Sequence, residues 1–171
     1  MNNHPTKSGD FAGAPIDDVI EAYQSTVYGI ALTRTRSRAD ADDIFQEVFL
    51  AYFRKNPQCR DPCHLKAWLI NATLNCTKKC LRQRARAGIP LEELPEEAFI
   101  FRAPEDTALY EALCSLADPY RTALHLFYFE DMPVERIAKA LGRRPGTVRM
   151  QLTRGRALLR EQLKGDFDLD A

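Results

Sequence analysis

Arg149, Thr153, Arg156 and Arg160 recur every three or four residues near the C-terminus, with Arg154 on the flank and Met150 beside Arg149. On a helix this spacing gathers the guanidinium groups along one side. Such forks bond phosphate oxygens and the acceptor edge of guanine. A second polar row lies earlier: Asn71, Asn75, Lys78 and Arg82, with Lys79, Arg84 and Arg86 extending the positive field. Amide side chains among cations suit base edges as well as phosphates.

The remaining reactive residues offer less. Cys59-x3-Cys63-His64 and Cys76-x3-Cys80 form two pairs, with Cys114 apart. Their spacing is not the two-residue zinc knuckle, and Cys76 lies on an apolar stripe, where a thiol packs as a small hydrophobe. A metal or redox site at Cys59, Cys63, Cys76 and Cys80 is therefore the minor reading, and no metal or other cofactor is expected. His4, His64 and His125 have no nucleophile partner evident in the sequence. The loop Gly142-Arg-Arg-Pro-Gly146 lacks the lysine and hydroxyl of a phosphate-binding loop, so an enzyme is not expected.

Both polar rows need helices to hold them. Val134, Ile137, Ala138 and Leu141 mark one helix face, Gly142 stops it, and Pro145 can open the next. Val148, Leu152, Gly155 and Leu159 give that second helix an inner stripe behind its arginines. This is the pattern of a helix-turn-helix whose second helix enters a DNA groove. The Asn71 row sits on a helix predicted to start at the cap-and-proline pair Asp61-Pro62 and end before Gly88, with Leu65, Leu69, Ala72 and Cys76 buried and Trp68 beside them. Upstream, one helix is expected from Ile16, and the arginine-rich stretch 33–38 reads as a turn. Another helix is capped by Ser37 and carries Ile44, Phe45, Val48, Phe49, Tyr52 and Phe53, with Asp43, Gln46 and Glu47 on its polar rim. At the start of the second half, Leu109, Leu113 and Leu116 suggest one helix, and the cap-and-proline pair Asp118-Pro119 starts another with Tyr120, Ala123, Leu124, Phe127 and Tyr128 facing the core.

Charge follows the same division, although the 171 residues have zero net charge. Residues 59–90 carry 7 basic and 1 acidic group, residues 91–135 carry 2 and 11, and residues 136–164 carry 9 and 1. Two basic blocks around an acidic one suggest two surfaces for a polyanion and a tether that avoids it. The expected architecture is all-α: two small helical domains joined by an acidic linker, the second a helix-turn-helix. The boundaries read as a tail 1–15, a first domain 16–88, a linker 89–107, a second domain 108–164 and an acidic tail 165–171. No stretch reads as a signal segment or a membrane span, and a cytoplasmic protein with reduced cysteines is expected. Patterning alone leaves two rivals: a stand-alone helix-turn-helix regulator that dimerises, and a thiol or metal sensor.

Longer motifs narrow the field. Asp40-Ala-Asp-Asp-Ile-Phe-Gln-Glu-Val-Phe49 closely resembles the core-binding segment of bacterial sigma factors of the extracytoplasmic-function group. Lys66-Ala-Trp-Leu-Ile-Asn-Ala-Thr-Leu-Asn75, followed by Lys78, Lys79 and Arg82, resembles their −10-recognition helix. Pro119-Tyr-Arg-Thr-Ala-Leu, Val134-Glu-Arg-Ile-Ala and Gly146-Thr-Val-Arg-Met-Gln-Leu-Thr-Arg-Gly-Arg156 resemble their −35-reading domain. The resemblance implies a protein that binds core RNA polymerase and directs it to promoter DNA. Asp43, Gln46, Glu47 and Phe49 would dock on the clamp helices of the largest subunit, and the second domain on the flap of the second-largest. Asn71, Asn75, Lys78, Lys79 and Arg82 would serve the −10 element, with Asn75 at a flipped base. Arg149, Met150, Thr153, Arg154 and Arg156 would serve the −35 element. By the same analogy an anti-sigma factor is a further partner. Gly155 stands where the family usually has alanine, which should weaken its helix by up to about 1 kcal/mol.

Overall fold

The computed structural model describes residues 14–90 and 107–167. The expected N-terminal tail, acidic linker and C-terminal tail fall largely outside these residues. Seven helices occur among them and no strand: α1 Ile16–Thr35, α2 Arg38–Lys55, α3 Pro62–Ala87, α4 Thr107–Ser115, α5 Asp118–Tyr128, α6 Val134–Leu141 and α7 Pro145–Phe167.

Most helix ends have the local cause expected of them. Ser37 accepts a hydrogen bond from Asp40 N at 3.3 Å, and Asp61 accepts one from His64 N at 2.8 Å, so both side chains satisfy an otherwise orphaned donor of a first turn. Gly88 and Gly142 close α3 and α6 at φ 67° and 62°, the left-handed region that glycine enters without a Cβ penalty. Asp118 behaves differently from the expected cap. It is the first residue of α5, and its Oδ1 accepts from Thr122 Oγ1 at 2.9 Å inside the helix.

Boundaries and faces differ from the sequence pattern at four places. The turn expected over 33–38 shrinks to Arg36–Ser37, because Thr33 and Thr35 are buried and α1 continues through them. Arg36 makes the turn at φ 55°, its N–H returning to Leu32 O at 2.8 Å. At the other end α7 extends to Phe167, past the expected boundary at Lys164. Leu109, on the apolar row that suggested α4, is 38% exposed, and Tyr128, expected to face the core from α5, is 53% exposed.

Two apolar cores organise the chain. Val27, Ala31, Ile44, Val48, Phe49, Leu65 and Leu69 join α1, α2 and α3. Leu113, Leu116, Leu124, Leu126, Ile137, Val148 and Leu152 join α4 to α7. Each fully buried Leu, Ile or Val contributes about 1.5–3 kcal/mol, so each set can hold a small domain together.

The two domains touch along a seam where α1 and α3 meet α5 and the turn after it. Ile30, Ile70 and Leu74 of the first domain pack into the second domain's cluster. Around them the seam is polar. Thr33 Oγ1 lies 3.1 Å from His125 Nδ1, Lys66 Nζ 3.4 Å from the Glu130 carboxylate, and Arg34 Nη2 3.8 Å from Asp118 Oδ2. The consequence is visible on α5, where Arg121 to Leu126 are buried at six successive positions. A surface helix buries one stripe; burial at every position means cover on both sides.

Candidate nucleic-acid interface

Helix α7 is seated by Val148 and Leu152, both buried, and by Gly155, which lies against α5. A Cβ on Gly155 would come within 2.7 Å of Leu124 Cδ1, so the missing side chain permits the close approach. The expected weakening of α7 therefore has a packing reason. Seated this way, α7 presents Arg149, Met150, Thr153 and Arg154 to solvent. Met150 is 46% exposed, an apolar group among polar side chains. Apolar contact of that kind suits the thymine methyl in a major groove.

Two contacts order this surface. Glu135 of α6 holds Arg149 through an Nη2–Oε1 contact of 3.0 Å, so the two helices of the motif share a side-chain bond on the exposed side of α7. Arg143 in the turn donates to Gln151 Oε1 at 3.0 Å, which accounts for a buried glutamine on α7. Arg156 is held apart from the exposed group. Its Nε donates to Tyr128 Oη at 2.7 Å, and its guanidinium carbon lies 5.5 Å and 5.6 Å from the Phe127 and Tyr128 ring centroids. It is half-buried at the flank, where a phosphate contact would require it to swing away from Tyr128.

The earlier row is intact. Asn71, Asn75, Lys78, Lys79 and Arg82 are all exposed on α3. Lys79 Nζ lies 3.5 Å from Glu47 Oε1, linking this row to the rim of α2. Arg84 leaves the field, because it is paired with Asp40.

On α2 the polar rim is where the pattern placed it, with Asp43, Gln46 and Glu47 exposed. Phe49 is a correction. It is 4% exposed, packed in the first core and 4.8 Å centroid to centroid from Phe45, so it supports the helix and is unavailable to a partner. The apolar part of this surface comes instead from Leu50 and Phe53, at 49% and 66% exposure. A groove lined by Asp43, Gln46, Glu47, Leu50, Ala51, Arg54 and Lys55 runs along it. The signal was present in the sequence: Asp43, Gln46, Glu47, Leu50 and Arg54 are spaced along one helical face.

The cysteine pairs do not converge. Among the described residues no group of three or more His, Cys, Asp or Glu side chains could hold a metal ion. Cys76 faces Glu47, and burial first, with that carboxylate, pushes its thiol up to about 11. Burial and Asp61 raise Cys59, and burial and Asp40 raise Cys80. Thiols held protonated in this way are poor nucleophiles and poor metal ligands. No helix among the described residues is long and apolar enough to cross a membrane.

Comparison with known proteins agrees with this geometry. Residues 19–87, spanning most of α1 to α3, match sigma-70 region 2, and residues 106–159, from α4 into α7, match sigma-70 region 4. The RNA polymerase sigma factor SigV of Bacillus subtilis is 30% identical over 148 residues, which is 84% of this chain and 88% of that protein. The chain belongs to the sigma-70 family. Within it the chain falls in the extracytoplasmic-function group. A probable RNA polymerase sigma factor, RfaY, of Xanthomonas campestris is 31% identical over 88% of the chain, and the chain spans 40% of that protein's length. Among solved structures, the sigma factor RpoE of Bartonella quintana, in complex with the anti-sigma factor NepR, has the same fold. Its TM-score is 0.73 at 21% identity, covering 91% of this chain and 98% of that one. The sigma-70 regions thus coincide with the two cores, with one exposed polar row on each.

Proposed function

We propose that this sigma-70 family member binds core RNA polymerase and directs promoter-specific initiation, reading a −35 element with α7 and holding the opened −10 element on α3. The observation that carries the reading is the pairing of two exposed cation-and-polar rows with two separate cores. One row is Asn71, Asn75, Lys78, Lys79 and Arg82; the other is Arg149, Met150, Thr153 and Arg154. Phosphate contacts from the cations position the chain, and the amides and forks read bases. A flipped base costs a few kcal/mol to extrude, which a pocket at Asn75 and the surrounding cations offset.

The α2 rim of Asp43, Gln46 and Glu47, with Leu50 and Phe53, is the surface for the clamp helices of the largest subunit. The second domain is assigned to the flap of the second-largest subunit. The chain performs no bond chemistry in this scheme; the polymerase does. Its place of action is the cytoplasm, where polymerase and promoter are found. An anti-sigma factor is a further partner by analogy with the Bartonella complex.

Reconstitution tests the proposal. Purified protein added to core polymerase should start transcripts at defined sites in a genomic promoter library. The absence of any site-specific start across the library would refute it.

A further inference from the structure

Tyr128 is the exception on its helix face. Tyr120, Leu124 and Tyr128 are spaced by four along α5 and form one ridge. The first two lie against Gly155 of α7. The third, instead of entering the core, is 53% exposed. Its ring is held all the same. It meets the Phe127 ring edge-on at 5.0 Å between centroids, and the Arg156 guanidinium carbon lies 5.6 Å from its own centroid. Neither core accounts for a large aromatic ring held in solvent beside the arginine side of α7.

Arg156 fixes where that ring stands. It follows Arg149 by about two turns, roughly 10 Å along the same side of α7. With the start of α7 in a major groove about 12 Å wide, that point falls at the groove edge, where a phosphate strand runs. Arg156 is already engaged there. Its Nε donates to Tyr128 Oη at 2.7 Å, and its guanidinium carbon also lies 5.5 Å from the Phe127 centroid. A phenol both accepts and donates, so accepting from Arg156 leaves the Tyr128 O–H to donate to a group arriving from solvent. Accepting from a cation strengthens that second bond, because linked hydrogen bonds polarise one another. Tyrosine hydroxyls are among the groups that bond DNA phosphates.

We propose that Tyr128 is a DNA-backbone contact: its hydroxyl donates to one phosphate at the edge of the −35 element, and Arg156 is the residue that positions it. This rests on the assignment of α7 to the −35 element above. Arg156 keeps its bond to Tyr128 when DNA binds, so the guanidinium does not have to leave its place over the two rings. The hydroxyl sets register on the duplex without reading bases, and it adds a neutral donor beside the charged forks of Arg149 and Arg154.

The test measures binding of the full chain to two duplexes, one enriched by the chain from a random-sequence library and one unenriched. Tyr128→Phe removes the hydroxyl and keeps the ring that supports Arg156. It should weaken binding to both duplexes by the same factor, about threefold to tenfold, the scale of one neutral hydrogen bond. The slope of log affinity against log salt should stay the same, because a neutral donor releases no counterion. A methylphosphonate scan of the enriched duplex should find one phosphate whose replacement closes the gap between the unaltered chain and Tyr128→Phe. Arg156→Lys keeps the charge and loses the Nε donor, and it should add nothing to the loss in Tyr128→Phe. Unchanged or tighter binding by Tyr128→Phe would mean that Arg156, once released, takes the phosphate itself, and would overturn the proposal. A changed salt slope, a loss confined to one base pair, no such phosphate in the scan, or additive losses for the two substitutions would overturn it too. Equal binding of the unaltered chain to both duplexes, with Tyr128→Phe still weaker on each, would sink the promoter reading and leave the phosphate contact standing. Binding to neither duplex would sink both.

Discussion

Arg149 illustrates how much one side chain can carry and how little holds it. Its bond to Glu135 joins two exposed groups, and pairs of that kind contribute about 0–1 kcal/mol. The contact is strong enough to bias the rotamer and weak enough to yield to a guanine edge or a phosphate. Arg149→Ala should therefore cost about 1–3 kcal/mol in discrimination at one −35 base pair. Binding titrations over single-base variants would check this, and an unchanged preference at every −35 position would exclude a reading role. Asn75 is tested by a different step. Its proposed partner is an extruded base, which exists only after the duplex parts. Asn75→Ala should slow promoter opening while leaving closed-complex formation near its original level; equal loss of both would assign Asn75 to general DNA attachment. Phe49 marks the limit of pattern at this scale. On a helix with so broad an apolar face, spacing alone does not say which aromatic points inward, and the residue assigned to the partner proved to be core.

At the scale of helices, the contact of α7 with α5 sets which side of α7 is exposed. Gly155 allows Leu124 and Tyr120 to lie against the α7 backbone, with Leu124 1% exposed and unable to move far. Helix propensity alone would make Gly155→Ala stabilising by about 1 kcal/mol. Overpacking works the other way and typically costs about 1–3 kcal/mol. We expect the substitution to be net destabilising, read as a lower midpoint in urea unfolding, with weaker −35 binding as α7 is pushed off its seat. A higher midpoint would show that Leu124 can repack. The same helix pair shows what was legible. Inner positions Val148 and Leu152 followed from apolar spacing, and capping at Ser37, Asp61, Gly88 and Gly142 followed from local chemistry. Burial of Arg121, Thr122 and His125 did not, because periodicity counts apolar residues and is blind to a polar face covered by another domain.

The whole molecule depends on that unseen face. Nothing in the sequence pattern of α1 or α5 said that Thr33 would meet His125 across 92 positions, or that Glu130 would be buried in a turn. Glu130 gives the seam a measurable signature. Burial pushes its carboxyl up, but the His125 hydrogen bond and charge, the Lys66 ammonium and the Thr26 hydroxyl outweigh this, and the net result lies below the ordinary carboxylate value. A carboxyl lowered in the folded form favours folding above its unfolded pKa, and that contribution fades as pH falls through the folded pKa. Glu130→Gln keeps the shape and removes the charge. At neutral pH it should reduce stability by about 1–3 kcal/mol, the scale for losing a charged acceptor among buried donors. Below the ordinary carboxylate range the unaltered chain protonates Glu130 as well, and the difference between the two proteins should shrink toward zero. Denaturant unfolding of both chains from neutral to acid pH measures that gap directly. A gap that stays constant across the range would mean that the Glu130 charge does not stabilise the fold.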